Sequence, residues 1–352
     1  MKKRHLIKLG ARLAGNTLAE VLRKAGGPPL HRPKRIYLET SVRCNLKCLH
    51  CGKWQAKTAP RQLSVEEWSR VITGAREWLG PYYLSFRSAE PFMDAGIFRL
   101  IKTAADLGVV TRCTSNGTLI NEEMARKIAD SGLSSLSISI DSLRPEIHDA
   151  GRGSPGTLKR AVRGILALRR LKTGPKIYIN TIVTSENLAE LGEIVSWARE
   201  LGLAGNLFQA LQPLGSSWRR LWPEDAGAVD RALAELREAK KNGAAIVNHR
   251  AHFDAMAAYY RGTAAPGFRG TCSRLFSVSV DVAGEVTLCP EMPSIGNVRG
   301  SGLRELWESA AAAAVKRRIP GCRANCFVNT CNTEPSMGER LGSYFILFAG
   351  KL

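Results

Sequence analysis

Negative charge is what this chain has little of. It carries 51 basic residues against 31 acidic ones, a net charge of +20 with a pI near 9.9, and such an excess points to anionic partners: phosphates, nucleic acid or a membrane surface. It has no run of 18 or more apolar residues, so no stretch reads as a membrane-spanning helix. Nothing near its start resembles the apolar centre of a cleavable signal, which argues against secretion and against stable disulfides. Internal repeats and long low-complexity tracts are lacking too. The basic residues are spread without interleaved aromatics, and no RNA-binding signature occurs, so there is no strong nucleic-acid signal despite the charge.

What is present is ordinary in bulk. With 352 residues, 44% hydrophobic and 23% charged, the chain can bury the core of one large barrel or of two domains. Residues 1–34 stand apart. Met1 to Arg35 holds ten Lys or Arg against Glu20 alone, and Leu6, Leu9, Leu13, Leu18, Val21 and Leu22 recur at helical spacing before Gly26, Gly27 and Pro28. That describes a basic amphipathic helix. It suits either an anionic membrane surface, through residues 1–28, or docking on the protein's own body.

From Arg35 the pattern alternates. Strands are expected at 35–39, 82–86, 108–113, 134–140, 176–183 and 205–211, with helices at 64–78, 95–107, 121–130, 154–171 and 187–201. Such alternation implies a parallel sheet with right-handed crossovers, and the working groups belong on the loops after the strands. Residues 218–265 read as a helical connector, and 266–352 as a small α+β unit. His249 and His252 have no thiol or acid beside them and read as surface or core histidines, while Cys113 reads as a buried small hydrophobe.

The chemistry is concentrated in cysteines. Cys44, Cys48 and Cys51 form a CxxxCxxC run directly after the first strand. In a reducing compartment closely spaced thiols are metal ligands rather than disulfide partners, and soft thiolates select iron-sulfur clusters or zinc. A cluster held by three cysteines leaves one iron with open coordination, where a cofactor or substrate can bind.

The run, with His50 before its third cysteine, resembles the cluster loop of the radical S-adenosylmethionine (SAM) superfamily. That resemblance implies a partial (β/α)6 TIM-like barrel at 35–217, a SAM-binding 4Fe-4S cluster, and reductive cleavage of SAM to a 5'-deoxyadenosyl radical. Further segments are similar to the family's. Arg87-Ser88-Ala89-Glu90-Pro91 stands where relatives have Gly-Gly-Glu-Pro, so Glu90 and Pro91 match while two glycines are replaced. Thr114-Ser115-Asn116-Gly117 matches the segment after the third strand. The run from Ser139 and Asp141 through His148-Asp149 to Gly151-Arg152-Gly153 resembles the segment after the fourth. The resemblance thus implies SAM contacts by His50, Glu90, Pro91, Ser115, Asn116, Ser139, Asp141 and Arg152, the guanidinium suiting the SAM carboxylate. Asn180 and Gln212, at the ends of the last two strands, join that set. The Cys-Gly-Lys continuation at 51–53 is similar to members that modify isoprenoid lipids.

A second cysteine group follows. Cys272 is separated by eleven residues from Gly284 and by four more from Cys289, with Cys322, Cys326 and Cys331 beyond. This looks like the SPASM or twitch extension, which holds auxiliary clusters; the intervening FSVSVDVAGEVTLC reads as a hairpin about Ala283-Gly284. Five cysteines suffice for one four-ligand 4Fe-4S cluster and fall short of two. Which two of the last three complete the set is left open by spacing, and a four-cysteine zinc site is the competing reading. The chain is therefore expected to be a cytoplasmic, or peripherally membrane-associated, enzyme that functionalises a C–H bond of a small-molecule, nucleotide-linked or lipid-linked substrate. Its electrons would come from an external donor such as flavodoxin or ferredoxin. A peptide-modifying maturase and a non-catalytic iron-sulfur or nucleic-acid-binding protein are the alternatives.

Overall fold

The computed structural model describes residues 32–55, 61–214, 217–263, 272–319 and 322. The basic segment at 1–28 therefore lies outside the described residues, as do Cys326 and Cys331.

Six parallel strands, β1 (Arg35–Leu38), β2 (Tyr83–Phe86), β3 (Val110–Ser115), β4 (Ser135–Ser139), β5 (Lys176–Val183) and β6 (Gly205–Ala210), pair in sequence order. Helices α1 (Val65–Leu79), α2 (Gly96–Asp106), α3 (Glu122–Asp130), α4 (Pro145–Arg152), α5 (Thr157–Arg170) and α6 (Leu191–Glu200) fill the crossovers. This is the expected partial barrel, with one helix more than expected: α4 is built from the Pro145-to-Arg152 segment. Proline at its first turn supplies a preset φ, and Gly153 ends it in the left-handed region at φ 68°.

Local chemistry accounts for the elements. Helix α1 begins at a capping box in which Ser64 Oγ accepts from Glu67 N and Glu67 Oε2 accepts from Ser64 N, at 3.1 and 2.7 Å. Its Trp68, Ile72, Ala75 and Leu79 bury one face against the sheet. Along the strands Ile36, Leu38, Leu84, Phe86, Leu136, Ile138, Ile177 and Ile179 point outward into the core beneath the helices. The alternate positions, Tyr37, Ser85, Arg112, Ser137 and Tyr178, line a cavity of about 1810 Å³ inside the barrel. Cys113 is wholly buried on the outward side, as expected.

Past the barrel, α7 (Ala226–Lys241) and α8 (Arg250–Tyr260) pack together in a second core with Phe208, Leu211 and Val229. His252 is buried in α8 beside Asn248, 2.5 Å from its side-chain amide. The hairpin then appears as β7 (Ser277–Val280) and β8 (Glu285–Thr287), with a short β9 (Gly296–Asn297). Strand β7 pairs parallel with β1, Tyr37 opposite Ser279, so the sheet runs on unbroken through nine strands in the order β6-β5-β4-β3-β2-β1-β7-β8-β9. After it come two helices, α9 (Leu303–Glu308) and α10 (Ala310–Arg318), separate because Ser309 leaves the first and caps the second with Oγ accepting from Ala312 N.

Candidate functional site

The CxxxCxxC loop leaves β1 at the carboxyl edge of the sheet and is fastened from several sides. Cys44 and Cys51 are half-buried and Cys48 is buried. Leu49 N donates to Gly151 O at 3.0 Å, and Cys51 N to Cys48 O at 3.1 Å. Trp54 Nε1 reaches Cys48 O at 3.2 Å. Gly153 lies so close to the loop that a β-carbon there would stand 2.4 Å from Lys47 O, and one at Gly52 would stand 2.4 Å from Leu214 O. Both glycines let backbone approach backbone.

The thiols of this loop influence one another. Burial raises the Cys44 and Cys48 thiols above their ordinary value; Glu90 and Cys51 add to the rise in Cys44, and in Cys48 Arg152 opposes it while Asp141, Cys44 and Cys51 add to it. Three soft thiol donors on one loop, in mutual electrostatic reach, fit a 4Fe-4S cluster. Its positive charge would offset the burial that otherwise keeps these thiols protonated.

Behind the loop stands an ionic pair. Arg152 and Asp141 meet at 2.7 Å, both side chains buried. Asp141 also accepts from Ile182 N at 3.0 Å, its carbonyl accepts from Asn187 Nδ2 at 2.7 Å, and its N–H donates to His148 Nδ1 at 3.2 Å. Burial alone would raise Asp141; Arg152, followed by His50 and His148, outweighs it and holds the carboxyl below its ordinary value. Burial, then Arg152, pushes His50 and His148 down to about 4, so both imidazoles are neutral near pH 7. Arg152 also sits beside Cys48, so its guanidinium lies between Asp141 and the cysteine loop.

Glu90 is turned inward. It has no exposed surface, and it accepts from Ser115 Oγ at 2.9 Å, Asn116 N at 2.8 Å and Phe92 N at 3.3 Å. Burial outweighs these three bonds and pushes its carboxyl up to about 7. In this arrangement Glu90 clamps the loop after β2 to the loop after β3, with Pro91 buried next to it. Asn116 carries the clamp on to the cysteine loop, donating to Asn45 Oδ1 at 2.9 Å and lying 4.0 Å from Cys44 Sγ. Ser139 and Asn180, buried and paired in register on β4 and β5, complete the rim. Asn180 Oδ1 accepts from Gln209 Nε2 at 2.6 Å. Gln209 is a cavity-lining residue absent from the expected set, though its place two residues after Leu207 on β6, which lines the same cavity, could have suggested it. Gln212 Nε2 is buried in the cavity wall with no partner among the described residues, a donor suited to a bound ligand.

The second cysteine group gathers at the far end of the same sheet. Burial raises Cys272 and Cys289 as well; Cys289 and Cys322 add to the rise in Cys272, and Cys322 to that in Cys289, while Arg274 opposes it in both. Three of the five cysteines thus converge, Cys322 being the one of the last three that lies among the described residues. Both groups border one space, since Cys51 and Cys289 each line the 1810 Å³ cavity.

Comparison with known proteins agrees with this arrangement. Residues 38–198 match the Radical SAM superfamily, and residues 272–332 the SPASM iron-sulfur cluster-binding domain. An AdoMet-dependent heme synthase of Methanosarcina barkeri is 27% identical over 85% of this chain and 93% of its own. Another enzyme of that name, from Oleidesulfovibrio alaskensis, is 35% identical over 51% of this chain and 46% of its own, so the match spans about half of that relative. A PqqA peptide cyclase of Rhizobium meliloti is 28% identical over 81% and 76%. In fold the chain resembles Streptococcus suis SuiB bound to S-adenosylmethionine, with a TM-score of 0.66 at 16% identity over 81% of this chain and 68% of that one. The chain is a radical SAM superfamily enzyme with a C-terminal SPASM domain, and its cofactors are 4Fe-4S clusters and S-adenosylmethionine.

Proposed function

We propose that the chain cleaves SAM reductively at a cluster held by Cys44, Cys48 and Cys51, and functionalises a C–H bond of a small-molecule, nucleotide-linked or lipid-linked substrate lodged in the barrel cavity. The observation that carries this reading is that one cavity is bordered by Cys51 of the first cysteine group and Cys289 of the second. A substrate there meets the radical-generating loop on one side and the auxiliary site on the other. We assign one auxiliary 4Fe-4S cluster to Cys272, Cys289, Cys322 and one of Cys326 and Cys331. When bound, the first cluster supplies an open iron for SAM and the electron for its cleavage, delivered from an external donor of the flavodoxin or ferredoxin class.

The chain's own residues orient and seclude. His50, neutral at physiological pH, seats the adenine; Gln212 Nε2 and the Asn180–Gln209 pair offer amide groups to the nucleoside. The Asp141–Arg152 pair holds a guanidinium beside the loop, where it can meet the SAM carboxylate by exchanging one carboxylate for another. Glu90, Ser115 and Asn116 lock the two loops that face the cluster and so fix the distance between SAM and substrate. The heme synthase relative, alike over nearly its whole length, supports a small-molecule substrate.

A peptide substrate is the second reading, favoured by the peptide cyclase relative. Anaerobically reconstituted protein with about eight irons per chain, reduced in the presence of SAM, is expected to release 5'-deoxyadenosine. The small-molecule fraction of a host extract is expected to accelerate that release, and stimulation by the peptide fraction alone would favour the second reading. Iron incorporation with no SAM cleavage would sink both.

A further inference from the structure

Arg152 is buried, with 6% of its surface exposed, and yet two of its nitrogens are under-bonded. Nη2 stands 2.7 Å from Asp141 Oδ2 but off the line of a hydrogen bond, and neither it nor Nε has an aligned acceptor among the described residues. Both nitrogens are sealed from solvent. Buried donors are almost always paired, and those that are not serve a redox or catalytic role or await a water or ligand.

The backbone shows what these donors lie against. Leu49 N donates to Gly151 O at 3.0 Å, and a β-carbon on Gly153 would stand 2.4 Å from Lys47 O. The residues on either side of Arg152 thus touch the residues on either side of Cys48. The side chains agree with the backbone: among the charges acting on Arg152, Asp141 weighs most and Cys48 next, and the charge that weighs most on Cys48 is Arg152. Carboxylate, guanidinium and thiol form one buried row with Arg152 in the middle.

Resting on the reading that Cys44, Cys48 and Cys51 hold the SAM-cleaving cluster, we infer that Arg152 donates an N–H to the Cys48 sulfur and sets the potential at which that cluster accepts its electron, with Asp141 limiting the effect. An added electron makes the sulfurs more negative, so a cation and an N–H donor beside one of them favour the reduced state; hydrogen bonds to sulfur and net charge are among the terms that set iron-sulfur potentials. Asp141, on the other side of the guanidinium, opposes it and keeps the site strongly reducing. The electron comes from the external donor and no proton moves, since Arg152 keeps its charge throughout. In this role Arg152 acts through a cysteine ligand and is a positioning residue.

An anaerobic redox titration of the reconstituted full chain without SAM, followed by electron paramagnetic resonance, tests this. The first cluster's signal is the one missing when Cys44, Cys48 and Cys51 are all changed to alanine, and the auxiliary cluster's signal is the control. R152Q is expected to lower the first cluster's potential, so that the ratio of reduced to oxidised cluster at a fixed poise falls at least about tenfold, about 59 mV for one electron. R152K keeps the charge but loses the Nε donor, and its potential is expected between those of R152Q and the wild type. D141N leaves the cation unopposed and is expected to raise the potential. The auxiliary potential is expected to stay in place in all three variants, which a general loosening of the fold would not give. A first-cluster potential that stays at the wild-type value in R152Q and R152K, fails to rise in D141N, or moves only together with the auxiliary one overturns the inference. Should R152Q or D141N take up no iron, R152K, which retains a cation opposite Asp141, decides. Wild-type protein that assembles no cluster on the three cysteines overturns the functional reading, whereas a cluster that cleaves SAM at a potential indifferent to Arg152 overturns the inference alone.

Discussion

Replacing Gly153 by alanine should loosen the cysteine loop while the neighbouring Gly151→Ala does nothing comparable. Gly153 has φ 68°, and its added β-carbon would stand 2.4 Å from Lys47 O, a backbone atom that cannot rotate away. Holding alanine in the left-handed region costs about 1 kcal/mol. Relief of the clash pushes Lys47 outward and strains the bond from Leu49 N to Gly151 O, worth about another 1 kcal/mol. A destabilisation of about 2 to 3 kcal/mol follows, or a melting temperature lower by about 4 to 12 °C. Gly151 has open space around the same added atom and an ordinary φ, so alanine there should be neutral or slightly stabilising. The assay is iron content and cluster absorbance after anaerobic reconstitution, alongside thermal unfolding. Gly153→Ala is expected to lose iron from the first cluster and keep the second; iron and melting indistinguishable from Gly151→Ala would refute the packing argument.

Other perturbations have signs fixed by the same geometry. Asp141→Asn leaves Arg152 buried without its counter-charge and should cost about 3 to 5 kcal/mol in urea unfolding. Because the Asp141 carboxyl is depressed in the fold, its stabilisation is present above its unfolded value near 4 and fades as pH falls through the lower folded value; Asp141→Asn should lose that acid-side slope. Glu90 has the opposite sign. Its folded value of about 7 lies above the unfolded 4.5, so stability is greatest below about 4.5 and declines as pH rises to about 7, and Glu90→Gln should flatten that decline. Arg299 joins the C-terminal hairpin to the start of α1, donating to Glu67 Oε1 at 3.1 Å, Ala283 O at 2.6 Å and Arg61 O at 3.1 Å. Arg299→Ala should lower the melting temperature, by roughly 1 to 2 kcal/mol of stability, without changing SAM cleavage.

The barrel was legible because its signals are local. The repeating order of strand-like and helix-like runs located all six strands to within two residues, and the loop motifs after them carried the family likeness. What escaped was non-local or short. Pro145 to Arg152 reads as a motif segment because its eight residues include a glycine and end at another, yet it folds as α4, whose end carries Arg152 to Asp141 and the cysteine loop. The pairing of β7 with β1 joins residues more than 200 positions apart, and nothing in the hairpin's alternation announces its neighbour. The motif marks Glu90 but not its three donors, which depend on where β3 brings Ser115 and Asn116.

In the proposed function Cys44, Cys48 and Cys51 hold the cluster that cleaves SAM while the C-terminal cysteines hold a separate one. Changing all three to alanine and measuring iron and 5'-deoxyadenosine after reconstitution and reduction tests it most directly. Iron is expected to fall from about eight to about four per chain, an electron paramagnetic resonance signal from the remaining cluster to persist, and 5'-deoxyadenosine formation to be abolished. Undiminished iron, or SAM cleavage that survives the triple substitution, would contradict it.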